Sequence, residues 1–400
     1  MDAIAIKNLD VVFGDNVQPA LDLLDKGLTR SEIIEKTGQV VGVDNVSLNV
    51  KEGEICVLMG LSGSGKSSLL RAVNGLNPIS RGSLEVRDGD QMVDMASVDS
   101  QTLRHLRTNR ASMVFQKFAL MPWMTVVDNV AFGLEMKGIT KKERRKQALE
   151  KLELVGLGEW AYQYPHELSG GMQQRVGLAR AFAMDSDILL MDEPFSALDP
   201  LIRAQLQDEL LEIQKKLNKT ILFVSHDLDE ALKIGNNIAI MESGQLIQHG
   251  KPEDIVLRPE TDYVRDFVAH TNPLNVLKGR SMMKTVDNLT HTDNRWKVCD
   301  QREIWVTAEN NGTFSATADN QALRVAEWKK DILDLSQISD NTIVVASPDI
   351  EMRDAIEIRY NTNTPVLLVE NGQLLGTLSD HDFYHALLGK FQKNDTDKAA

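Results

Sequence analysis

Eight consecutive residues, Gly60-Leu61-Ser62-Gly63-Ser64-Gly65-Lys66-Ser67, constrain the fold of this chain more than any other feature. They match the pattern of a phosphate-binding loop, which works only between a buried strand and a helix N-terminus. Both flanks are present. Ile55-Cys-Val-Leu-Met59 is a continuous apolar run of the kind buried on both faces, and Ser68 to Val73 opens a helical segment. Glycines let successive backbone N–H groups converge on a phosphate, and the helix end adds partial positive charge. Lys66 has the reach for β- and γ-phosphates, and the Ser67 hydroxyl suits Mg²⁺.

A second buried run, Ile188-Leu-Leu-Met191, ends in Asp192-Glu193, and a third spans Thr220-Ile-Leu-Phe-Val224. Residues 1–13 alternate apolar and polar and predict a half-buried strand, and alternation returns at Val43 to Val50. Residues 15–40 read as a helical insertion, with Thr29-Arg-Ser-Glu32 as a start signal and Gly38 as a stop. Helical periodicity also fills 141–155, 171–184 and 201–217. Strands alternating with helices imply an α/β core around a mainly parallel sheet. Acids at the carboxyl end of a buried strand lie at the edge where such sheets bind ligands. Asp192 suits the Mg²⁺ shell, and Glu193 suits orienting and deprotonating an attacking water.

Leu168-Ser169-Gly170-Gly171-Met172-Gln173-Gln174-Arg175 resembles the signature sequence of ABC ATPases. Ser169 and two glycines precede a helix, so that its N-terminus can face an anion. In that family the anion is the γ-phosphate held by an opposing subunit, and two cassettes close head-to-tail over two ATP molecules. The other family elements follow in order. Gln116 resembles the Q-loop glutamine, a further Mg²⁺ ligand. Ser196-Ala197-Leu198-Asp199 resembles the D-loop, and His226 resembles the switch histidine. The resemblance also implies an aromatic stacked on adenine. Phe13 stands at the expected strand end, although the insertion separates it from Lys66 in sequence and a plain core role fits it equally.

Finer details resemble the ATP-binding subunits of bacterial quaternary-amine importers. These are the insertion with Gly27-Leu28 and Ile34-Glu-Lys-Thr-Gly38, the run Met113-Val-Phe-Gln-Lys-Phe-Ala-Leu-Met-Pro122, and Phe195-Ser-Ala-Leu-Asp-Pro-Leu-Ile-Arg203 with Ser225-His-Asp-Leu-Asp-Glu-Ala231. The resemblance covers residues 1–275. It implies ATP·Mg²⁺ hydrolysis that powers import of a compatible solute (glycine betaine, proline betaine, choline or a similar amine). It also implies three partners: a second copy of the chain, a polytopic membrane permease and, through the permease, a solute-binding protein. Phe118, Leu120, Met121, Trp123 and Met124 are apolar enough to form a groove for a permease helix, or to be core.

The expected organisation is an α/β P-loop ABC cassette over 1–275, with a helical signature subdomain at about 100–185. A smaller α+β domain resembling CBS modules follows over 276–392, and a polar tail over 393–400. Residues 342–388 fit one such module, in which Ser379 and Asp382 match a ribose-contacting step. The preceding half departs from the pattern. Ile304-Trp-Val-Thr-Ala and Asn311-Gly312 suggest only a strand pair, and Thr317-x-x-Asn320 stands where an aspartate is wanted. Packing or dimerisation is the other reading of this domain.

Composition narrows the partners. A net charge of −14 argues against nucleic acid, which needs basic stripes. From Ser281 onward, 12 Lys and Arg face 19 Asp and Glu, so this segment carries −7 of that charge. It also lacks the basic cluster that would meet anionic lipid. Two cysteines, Cys56 and Cys299, fit a reducing compartment, and Cys56 lies in a core run. Asp2 and Asp10 are wrong for a positively charged leader, and no stretch approaches the ~18 apolar residues of a spanning helix. Any membrane role therefore goes through a partner, and the resemblance to importer subunits implies a peripheral location on the cytoplasmic face of the inner membrane. Two rival readings remain. A non-transport ABC ATPase would not co-purify with a permease, and an ATP-binding sensor would show no steady-state turnover.

Overall fold

The computed structural model describes residues 1–387 except 117, 197, 270, 273, 275, 300, 310–312 and 330–340. The tail at 393–400, the Asn311-Gly312 turn and Ala197 of the D-loop pattern therefore lie outside the described residues. The chain divides into two compact units, Met1–Pro252 and Glu253–Ala400. This division falls earlier than the change in composition near residue 275.

The first unit opens with β1 (Asp2–Phe13), α1 (Gln18–Leu24), α2 (Arg30–Thr37), β2 (Val40–Lys51), β3 (Ile55–Met59) and α3 (Lys66–Val73). There follow β4 (Arg81–Asp88), β5 (Gln91–Asp94), α4 (Ser100–Asn109), β6 (Ala111–Val114), α5 (Val126–Met136), α6 (Lys141–Leu154) and α7 (Gly170–Ala183). It closes with β7 (Ile188–Asp192), α8 (Pro200–Leu217), β8 (Thr220–Val224), α9 (Leu228–Ile234), β9 (Asn237–Glu242) and β10 (Gln245–Gly250). Among the described residues, an antiparallel sheet in the order β2-β1-β4-β5 stands beside a six-stranded sheet in the order β10-β9-β3-β8-β7-β6. The central strands of the second sheet run parallel. Their residues are buried throughout, as continuous apolar runs require. One core joins the two sheets, from Ile4, Leu9 and Val46 to Leu58, Leu190 and Leu222.

β1 is more buried than its alternation suggests. Ala3–Ile6 and Leu9–Val12 are all buried, because β1 is central in its sheet and takes β2 on one side and β4 on the other. The 15–40 insertion is two short helices with a separate small core of Ala20, Leu21 and Ile33 against Val12 and Val41. Thr29 and Glu32 form a full capping box at the start of α2, and Gly38 ends that helix in the left-handed conformation. The helical body with its own core runs from Val126 to Ala183, narrower than the 100–185 span. Leu106 of α4 and Ala111 and Met113 of β6 pack instead into the main core.

The second unit contains α10 (Pro252–Leu257), α11 (Asp262–Val268), α12 (Gly279–Met282), β11 (Lys284–Thr285), β12 (Thr290–Thr292), β13 (Arg295–Cys299), β14 (Ile304–Ala308), β15 (Phe314–Ala318) and β16 (Gln321–Glu327). The expected strand–helix–strand–strand–helix order then appears as β17 (Thr342–Ala346), α13 (Met352–Thr362), β18 (Val366–Glu370), β19 (Gln373–Leu378) and α14 (Asp380–Leu387). The preceding part is richer than a strand pair. β12 to β16 form an antiparallel meander that continues into β17 through a parallel pairing. The result is a nine-stranded sheet, in the order β11-β19-β18-β17-β16-β15-β14-β13-β12. A single core spans it, from Ile304, Val306 and Phe314 to Ile343 and Leu367.

Candidate active site

The phosphate loop leaves the end of β3 and enters α3, with Gly60, Gly63 and Gly65 all at positive φ. Its underside is tightly packed. A Cβ at Gly60 would fall 2.1 Å from the Met241 carbonyl oxygen, and one at Gly65 would fall 2.3 Å from that of Gly42. Its upper side is open, since a Cβ at Gly63 would meet nothing within 4 Å and Leu61, Ser62 and Gly63 are exposed. This is a cradle of backbone that only glycine permits, sized for a group that approaches the main chain closely.

Lys66 is buried, and its Nζ donates to the carbonyl oxygens of Gly60 (2.8 Å) and Leu61 (2.9 Å) and lies 3.4 Å from Ser64 Oγ. Burial pushes its ammonium below the ordinary lysine range, and the Glu193 and Asp192 carboxylates oppose that shift. The amine is thus satisfied by the carbonyls of its own loop. One residue on, the Ser67 hydroxyl donates to Asp192 Oδ1 at 2.7 Å. Asp192 is almost fully buried, and its other oxygen accepts from Arg71 Nη2 at 3.0 Å. The hydroxyl and carboxylate together are a hard oxygen pair of the kind Mg²⁺ takes.

Three residues far apart in sequence meet at one atom. Gln116 Nε2 donates to Glu193 Oε2 at 3.0 Å, and His226 Nδ1 lies 3.2 Å from the same oxygen. The sheet order explains the meeting. Gly60 follows β3, His226 follows β8, Glu193 follows β7 and Gln116 follows β6, and these are four neighbouring parallel strands. Glu193 itself has φ +47, a left-handed conformation that costs a non-glycine residue about 1–3 kcal/mol. Its N–H donates to Val224 O (3.1 Å), and the Ser196 hydroxyl donates to its carbonyl (3.0 Å), so the turn is held from both sides. The Glu193 side chain is 19% exposed: shielded, yet within reach of a water.

The signature residues sit apart from this cluster. Ser169 caps α7 by accepting from Met172 N, and Gln173 Nε2 donates to Leu168 O. Ser169 and Gly170 are exposed, with Phe118 Cζ 3.7 Å from a Cβ built at Gly170 and Leu198 Cδ2 3.2 Å from one at Gly171. Asp199 caps α8 through Ile202 N. The exposed helix start therefore lies near Phe118 and Leu198, which follow Gln116 and Glu193 in sequence. Phe13 is half-buried, and its Cε2 and the Ser68 hydroxyl lie 2.6 and 3.1 Å from a Cβ built at Gly42, so the insertion that separates them in sequence does not separate them in space. In the second unit, Ser379 N and Oγ both donate to Asp382 Oδ2 (2.8 and 2.6 Å), which is a helix cap for α14.

The motifs leave out several side chains that the structure puts here. Arg71 lies four residues after Ser67, one helical turn along α3, and could have been read from that spacing. Arg180 of α7 donates to the carbonyls of Ala119 (2.6 Å) and Phe118 (3.0 Å), and burial lowers its guanidinium pKa. Arg203 pairs with Asp227, the residue after His226, at 2.9 Å. For these two no local signal exists, because their partners are set by tertiary packing.

A phosphate cradle, a buried hydroxyl–carboxylate pair and a glutamate shared by glutamine and histidine define a P-loop ATPase with a separate signature helix. Residues 43–196 match the ABC transporter family. The chain is 50% identical over 285 residues to the glycine betaine/proline betaine transport system ATP-binding protein ProV of Escherichia coli strain K12, covering 71% of this chain and 70% of that protein. It is 38% identical over 396 residues to the glycine betaine/carnitine transport ATP-binding protein GbuA of Listeria monocytogenes, covering 97% and 98%. A solved dimer of the ATP-binding cassette MJ0796 in a post-hydrolysis state with ADP and phosphate superposes with TM-score 0.54 at 30% identity, over 62% of this chain and 98% of that one. The chain belongs to the ATP-binding subunits of ABC transporters, in the branch of the betaine and osmoprotectant import systems. It is an ATP-hydrolysing cassette. Among the described residues no helix is long and apolar enough to cross a membrane.

Proposed function

We propose that this chain hydrolyses ATP·Mg²⁺ as a head-to-tail dimer on the cytoplasmic face of the membrane, driving uptake of a quaternary amine through a separate permease. The observation that carries the reading is the convergence of Gln116 and His226 on Glu193 Oε2 beside the Ser67–Asp192 pair. Ser67, Asp192 and Gln116 would hold Mg²⁺, which neutralises charge on the β- and γ-phosphate oxygens. Gly60 to Ser68 cradle the phosphates, with Phe13 beside the adenine. Glu193 takes the proton of the attacking water, while Gln116 and His226 fix its orientation. Ser169, Gly170, Gly171 and Gln173 close over the partner copy's nucleotide, with Asp199 at the same face. The relatives' names support a betaine-like cargo, and a solute-binding protein would deliver it to the permease.

Transport by the purified chain with its permease in proteoliposomes tests this. ATP-dependent uptake of radiolabelled glycine betaine or choline is expected. Turnover that no amine-loaded binding protein stimulates would remove the importer reading and leave a non-transport ATPase, and an absence of steady-state turnover would leave a sensor.

The segment after Gln116 supports a permease-docking role. Trp123 is 72% exposed, while neighbouring Leu120 packs into the helical core. Replacing Trp123 with Ala should lower the ratio of permease-stimulated to unstimulated ATPase about fivefold or more, as large aromatic anchors do at interfaces. Stimulation equal to wild type would place the permease elsewhere. The second unit reads as a CBS-like regulatory domain, supported by its β17-to-α14 order. The Ser379–Asp382 cap favours packing over a ribose contact.

A further inference from the structure

The 15–40 insertion is more than an ornament on the cassette, because one of its side chains touches the phosphate loop. Arg30 is the first residue of α2, and the Thr29–Glu32 capping box fixes where that helix begins. From there Arg30 Nη1 donates to the Gly63 carbonyl at 3.0 Å, across 33 residues of sequence. Gly63 is the open tip of the loop, at φ +79 with free space above it. Partial burial of Arg30 lowers its guanidinium pKa, and Asp44 opposes this. Asp44 is anchored in turn, its N–H donating to Gly244 O at 2.9 Å and its carboxylate accepting from Gln245 Nε2 at 2.6 Å. A cation is thus placed at the tip of the cradle, with the Asp44 carboxylate near enough to act on its charge. Nothing in the signature, Q-loop or switch motifs requires it.

We propose that Arg30 is a nucleotide-binding residue: it steadies the tip of the phosphate loop and adds positive charge for the polyphosphate of ATP or ADP. A guanidinium offers five N–H donors in a fixed fork, and Nη1 spends one on Gly63. That contact keeps the guanidinium charge at the loop on which a triphosphate would sit. The insertion then serves the reaction, since its small core of Ala20, Leu21 and Ile33 holds the helix that carries Arg30. This inference rests on the reading of Gly60–Ser67 as the phosphate cradle.

The test is calorimetric titration of the full chain with MgATP and MgADP, alongside thermal melting without nucleotide. Arg30→Ala, Arg30→Gln, Arg30→Lys and Lys66→Ala are compared with the parent. Arg30→Ala should raise Kd for both nucleotides about tenfold, as loss of a charge-assisted contact does. Arg30→Lys should recover most of that loss and Arg30→Gln little, because charge is the ingredient. Raising the salt concentration should weaken binding by the parent more than by Arg30→Ala. A Kd that stays unchanged in Arg30→Ala while its melting point falls would make Arg30 a tether and overturn the inference. Should Arg30→Ala not fold, Arg30→Gln, which keeps a donor for Gly63, decides by the same Kd comparison. If Lys66→Ala also binds normally, the cradle reading itself fails.

Discussion

Steady-state ATP turnover is expected to fall by about 10²–10⁴-fold when Glu193 is replaced by Gln, the range by which a positioned base accelerates proton transfer. Nucleotide binding should survive. The cradle, Lys66 and the Ser67–Asp192 pair are untouched by the change, and glutamine keeps the shape that Gln116 and His226 engage. What disappears is the ability to accept a proton when water attacks, so the loss falls on the transition state and not on the ground state. An enzyme that binds but cannot hydrolyse should accumulate as an ATP-bound dimer, seen as an earlier peak on size-exclusion chromatography with MgATP. Turnover within a few-fold of the parent would remove Glu193 from the role of base.

Ser169→Arg should be nearly as damaging, although no atom of Ser169 lies in the Glu193 cluster. Ser169 caps an exposed helix start, and a bulky cation there would block closure of a second copy onto that surface. Its own phosphate loop should still bind nucleotide. Mixing Ser169→Arg with Lys66→Ala gives heterodimers in which one site is whole and the other lacks both elements. With random pairing and independent sites, about a quarter of the parent activity is the ceiling. Isolated Ser169→Arg protein with normal turnover would show that the site is complete within one chain.

The cradle was legible because its requirements are local: an apolar run, glycines and a helix start occupy twenty consecutive residues or so. Asp192, Glu193, Gln116 and His226 were legible only as motifs in order. Their meeting at Glu193 Oε2 depends on β3, β8, β7 and β6 lying side by side, which no stretch of sequence states. Arg30 was hidden for a further reason, since the charged first turn of a helix in an insertion looks like any solvated helix end. The β15 strand of the β12–β16 meander was missed because two of its three inward residues are small. Ala316 and Ala318 are buried opposite exposed or half-exposed Ser315 and Thr317, so the alternation of the strand carries little hydrophobic contrast. β1 misled in the opposite sense, since its alternation hides burial on both faces.

The parallel pairing of β16 with β17 has a practical consequence for cutting the chain. It stitches the meander to the strand–helix half, and Ile343 and Leu367 share a core with Val306 and Phe314. Separating the halves on either side of the Glu327-to-Thr342 interval would leave two raw sheet edges, each with unpaired N–H and C=O groups and a bared apolar face. Such edges recruit one another and seed aggregates. Expressing the two halves as separate chains should therefore yield insoluble products, and grafting this unit onto another cassette requires Lys278 to Leu387 to travel as one piece.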